Sequence, residues 1–213
     1  MNFLFGPPSG ITAQSLHWLF EHYVEVIAML TGLIYLVYSV QGRILLWLFG
    51  FVSSLLYVYI FYDSHIYALM CINIYYVIIS VYGWYHWSHP GKAGRKELPV
   101  SRLKMKMGII LLFLSVFLFL FIAFILHEFT DSDIVFGDAF ITAFSITATW
   151  MLARKIMEHW LVWIVVDLLA VILYFYKQLY PTVLLFVFYT VMAVTGYLEW
   201  KKQWEKQETG LNA

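Results

Sequence analysis

Charge is what this chain has least of. Of 213 residues, 12% are Asp, Glu, Lys or Arg, against 62% hydrophobic and 20% aromatic. A soluble domain carries about 25% charged and about 45–50% apolar residues, so a soluble globular domain is excluded. The aromatic content excludes a disordered chain. Acidic and basic residues balance to zero net charge, which argues against a nucleic-acid partner. The one cysteine, Cys71, excludes an internal disulfide. Met1–Gly10 holds no Lys or Arg and contains Gly6, Pro7 and Pro8, so it does not read as a signal peptide. There is no HExxH, no GxSxG and no Cys/His set at ligand spacing, so the sequence predicts no metal, no cofactor and no enzyme.

What is present is long apolar runs, such as Met107–Leu126 and Thr182–Gly196. A spanning helix needs about 20 apolar residues. The ten-residue alternation of an outer-membrane barrel is missing. The fold class is therefore an all-α integral membrane protein embedded in a lipid bilayer. Seven spans are predicted, at 22–41, 43–62, 65–87, 107–126, 137–154, 158–176 and 181–200. Lys and Arg bias sets orientation. With the C-terminus inside, twelve basic residues fall inside and Lys177 alone outside. The N-terminus is then predicted outside and the C-terminus in the cytoplasm.

Laying the sequence on itself with a shift of 113 residues gives eleven identities over the 41 pairs from 47 to 87. They include Trp47 with Trp160, Tyr76 with Tyr189, Gly83 with Gly196 and Trp87 with Trp200. The repeat unit is three helices. Two such odd units run parallel only if a further helix reverses the chain between them, which predicts a 3+1+3 plan. Residues 22–87 form the first repeat, 88–106 a basic cytoplasmic loop and 107–126 the linking helix. Residues 137–200 form the second repeat and 201–213 a polar cytoplasmic tail. Parallel repeats about an axis along the membrane normal are a transporter architecture, as in SWEET carriers, with the substrate between the halves.

Several polar and aromatic residues are candidates for that site. Trp160, Trp163 and Asp167 share one face of helix 6, and Asp167 stands near mid-span, where a carboxylate must face protein or water. Indole faces beside a carboxylate suit a planar, cationic or hydroxyl-rich ligand. Asn73, Tyr76 and Ser80 share a face of helix 3, and Tyr189, the repeat mate of Tyr76, is a candidate opposite wall. Helix–helix hydrogen bonding is the alternative role for Asn73 and Asp167. Ser54 is the repeat mate of Asp167, so the site is not symmetric. Gly83 and Gly196 read as points of close helix approach, and Trp84, Trp87 and Trp200 as interface belt.

The stretch Arg154-Lys155, Glu158-His159-Trp160-Leu161-Val162-Trp163 resembles the Arg-Lys…Glu-Asn-Trp-x-x-Trp signature of the PnuC vitamin transporters. Tyr82-Gly83-Trp84-Tyr85-x-Trp87 resembles that family's helix 3 ending, and the similarity runs from about residue 22 to 204. The resemblance implies a homotrimeric, SWEET-like inner-membrane carrier. It implies uptake of nicotinamide riboside by facilitated diffusion, with Trp160 and Trp163 on the pyridine or ribose. This chain has Asp167 where nicotinamide riboside members often have Asn, and Asn73 where they often have Gln. Thiamine, which also carries a fixed positive charge, is the alternative substrate. A binding or scaffold protein that does not transport is the alternative of another class.

Overall fold

A computed structural model describes residues 22–89, 98–130 and 134–210. The N-terminal residues 1–21, Lys92, Arg95 and Lys96 of the basic loop, and Asp131 and Asp133 lie outside the described residues. Among the described residues seven helices follow one another: α1 Tyr23–Gln41, α2 Leu46–Asp63, α3 Tyr67–Ser88, α4 Met105–Phe129, α5 Val135–Ala153, α6 His159–Tyr176 and α7 Tyr180–Glu208. All seven are long and apolar enough to span a bilayer. In hydrocarbon every backbone N–H and C=O must be satisfied within the chain, and a helix does this within one segment. The observed ends differ from the predicted ones chiefly at α7, which continues through the polar Lys201–Glu208 stretch. There the Lys201 ammonium lies 4.0 Å from the Glu205 carboxylate, one helical turn away.

Helices α1, α2 and α3 pack in sequence, as do α5, α6 and α7. The two groups meet through α1 against α7 and α3 against α5, while α4 packs along α5. This packing fits the 3+1+3 plan. The turns after α1 and α5 match in detail. Gly42 and Lys155, 113 residues apart, both take left-handed backbone, with φ of 68° and 54°. Each closes its helix with the same pair of bonds. Gly42 N–H donates to Ser39 and Arg43 N–H to Tyr38; Lys155 N–H donates to Leu152 and Ile156 N–H to Met151.

The tightest core lies at the end of the bundle where these turns sit. Trp47, Trp87, Trp160 and Trp200 are all at most 3% exposed. Trp87 and Trp200 are thus not interface belt, as the sequence suggested; Trp84, at 40%, is the exposed one of the three. Nor do the two glycines bring helix backbones together. A methyl placed on Gly83 would overlap the indole of Trp47, and one on Gly196 the indole of Trp160. Each glycine is a notch for the tryptophan 36 residues before it in sequence, and the two notches are repeat mates.

Candidate functional site

The two sequence motifs meet at this plug. Trp87 Nε1 donates to the carbonyl of Ala153, at the end of α5, across 3.0 Å. Trp200 Nε1 donates to the carbonyl of Ser39, near the end of α1, also across 3.0 Å. Each bond runs from the third helix of one half to the first helix of the other. The Lys155 ammonium stands 4.4 Å over the Trp87 ring, and Arg154 donates to the Tyr82 hydroxyl at 3.1 Å. Glu158 receives the backbone N–H of Leu103 at 2.7 Å and the Arg102 guanidinium at 3.2 Å. The segment before α4 is also held to the α5–α6 turn by Ser101 N–H donating to Lys155 and Met157 N–H donating to Ser101. His159 bonds the Ile156 carbonyl through Nδ1 at 2.7 Å, and its ring lies tilted against Trp160 and edge-on to Trp200.

Above the plug is a cavity of about 180 Å³. Its wall comes from Gly32 and Tyr35 of α1, Trp47, Gly50, Ser53 and Ser54 of α2, and Tyr76, Ile79 and Ser80 of α3. The second half contributes Thr149 of α5 and Trp163 of α6. The repeat explains why the hollow lies toward the first half. Gly50 is the repeat mate of Trp163, and Ser53 that of Val166. Where one half leaves room, the other fills it with an indole. The lining is chiefly aromatic rings and hydroxyls, with no Lys, Arg or His among the described residues. Trp47 brings an indole N–H that has no acceptor among the described residues.

A family model described as nicotinamide mononucleotide transporter matches residues 22–202. The chain belongs to this family. Among relatives of the nicotinamide mononucleotide transporter family, the nicotinamide riboside transporter PnuC of Escherichia coli is 23% identical over 223 aligned positions, covering 93% of this chain and 91% of the relative. The protein of the same name from Neisseria mucosa is 27% identical, over 85% of this chain and 73% of the relative. The crystal structure of the vitamin B3 transporter PnuC superposes with a TM-score of 0.69 at 25% identity, covering 92% of this chain and 88% of that one.

Of the seven residues the sequence put forward, the cavity wall takes in Tyr76, Ser80 and Trp163. Trp160 is 2% exposed and belongs to the plug beneath. Asn73 is half-buried and gives its side-chain amide to the Leu69 carbonyl one turn back, at 2.9 Å. Asp167 is 4% exposed, one turn beyond Trp163 and within electrostatic reach of Tyr189. These last four are not part of the cavity wall. Sequence reasoning missed Tyr35, Trp47, Ser53 and Thr149. The signal for Trp47 was available: it is the repeat mate of Trp160. The serines carry no such mark, because a hydroxyl in a spanning helix often bonds its own helix, as Ser80 does to the Tyr76 carbonyl at 2.7 Å.

Proposed function

We propose that this chain carries nicotinamide riboside across the inner membrane by facilitated diffusion, with its C-terminus in the cytoplasm. The observation that carries this reading is the cavity between two like-folded halves, walled chiefly by rings and hydroxyls, with no cationic side chain among the described residues that line it. The family's description speaks of a mononucleotide and the relatives' names of a riboside. Physical chemistry favours the riboside. A phosphate entering this cavity would lose its water with no Lys or Arg to replace it, and an unpaired buried charge is costly. A riboside brings hydroxyls for Ser53, Ser54 and Ser80 and a flat ring for Trp163. Its pyridinium charge suits ring faces and the carboxylate of Asp167 beyond them. Thiamine satisfies the same carboxylate and is the second reading.

The plug supports a reading of alternating access. In this conformation the halves are joined at the basic end by Trp87 and Trp200. Transport requires those two bonds to release while the opposite end closes. As the resemblance implies, three copies assemble.

Calorimetry of the purified full chain tests the substrate. Nicotinamide riboside should bind, and nicotinamide mononucleotide at least about tenfold more weakly, or ~1.4 kcal/mol. Asp167→Asn should weaken the riboside and thiamine more than uncharged riboflavin. Equal or tighter mononucleotide binding would overturn the riboside reading.

A further inference from the structure

The asymmetry of α4 leaves one face of the molecule with a different neighbour. On the second half, α4 covers a strip of α5 and the turn after it. Thr147 exchanges a hydrogen bond with Ser115 of α4 at 2.8 Å, and Met151 and Ile156 pack against Leu111 of α4. The repeat mates of Thr147, Met151 and Ile156, 113 residues earlier, are Ile34, Tyr38 and Arg43. These three line a groove on the first half, together with Leu33, Val37 and Gln41. Among the described residues the groove is open, and none of the seven helices lies in it. Its floor is apolar for about two turns of α1. Its end at the basic side of the bundle is polar, and there Arg43 stands where the covered half has the buried Ile156. Arg43 is exposed, and among the described residues no carboxylate pairs with it.

We infer that this groove is a binding site for an anionic phospholipid, with an acyl chain along Leu33, Ile34 and Val37 and the phosphate on Arg43. An apolar trough ending in an unpaired guanidinium matches the build of such a lipid, and Arg holds phosphate through a two-pronged donor fork. Tyr38 and Gln41, which also line the groove, carry a hydroxyl and an amide as further donors. The rival occupant is α4 of a second copy, filling the strip as the chain's own α4 does on the other half. Charge disfavours it. A second copy in the same bilayer has the same orientation, so its α4 would bring Lys104 and Lys106 to the level of Arg43. The exchange of Ile156 for Arg43 thus fits an anion and not a second basic helix end.

Native mass spectrometry of the full chain, offered phosphatidylglycerol and phosphatidylcholine, tests the site. The chain should keep phosphatidylglycerol preferentially. Arg43→Gln should cut its retention at least about fivefold, the scale of one basic group at an anionic surface. Ile34→Trp, which fills the trough and keeps the charge, should cut it as well. Lys201→Gln, at the same end on α7, should leave it unchanged. Retention by Arg43→Gln equal to the parent, an equal loss with Lys201→Gln, or no preference between the lipids would overturn the site. So would cross-linking between copies of Ile34→Cys and Leu114→Cys, which would put a second chain in the groove.

Discussion

Gly83 and Gly196 matter for the indoles they admit. Each is fully committed to one tryptophan, so an added methyl has nowhere to go. Gly196→Ala should therefore cost about 1–3 kcal/mol through overpacking, read as a lower melting temperature of the detergent-solubilised protein. Gly108→Ala is the control. Its methyl would meet only the flexible end of Leu103, and alanine favours the helix. Trp163 is the opposite case, half-buried with its ring on the cavity. Trp163→Ala should leave the melting temperature nearly unchanged and remove about 1–3 kcal/mol of riboside binding, the scale of ring stacking on an aromatic side chain. Calorimetry and thermal unfolding of the same sample separate the two effects. Trp160 and Trp163 are indistinguishable in a linear pattern. What separates them is the partner: Gly196 receives Trp160, whereas Trp163 stands where its mate is Gly50. The second fact is written in the repeat, but the first needs the fold.

At the level of helices, existence and order were legible because each span is a long apolar run, a signal that tertiary packing does not override. The helix ends were less so. The polar stretch after Gly196 continues as helix because its register holds Trp200 in the core and Gln203 against the Gln41 carbonyl. The 98–104 segment read as plain loop, although it pairs with the α5–α6 turn. Such pairing has no local pattern to betray it. Crossed bonds from α3 to α5 and from α7 to α1 join the halves at the basic end, and Tyr75 adds a bond to the Ile146 carbonyl at 2.8 Å farther along α3. Trp87→Phe and Trp200→Phe each keep a ring and delete a donor. Both should loosen this closure. With Cys71 replaced, a Ser54→Cys probe should then label faster from the basic side with an impermeant thiol reagent. Unchanged labelling in both variants would show that the plug does not depend on these bonds.

For the whole molecule, duplication supplies two like halves and divergence makes them unequal. Small residues of the first half and the Trp163 indole of the second make an off-centre cavity, and α4 covers one half and leaves the other a groove. The 3+1+3 plan, which the packing fits, came from the register of the repeat and the odd number of helices in each unit. The cavity's serines were not readable, because nothing in a serine's own sequence neighbourhood says which side of a helix is hollow. The carriage proposed for this cavity is passive. Uptake of labelled nicotinamide riboside into vesicles containing the purified chain, with and without an imposed pH gradient, is the direct test. The label should rise inside to the outside concentration and stop there in both conditions, and Trp163→Ala should slow it. Accumulation above the outside level that follows the gradient, or no entry at all while binding persists, would contradict passive carriage by this cavity.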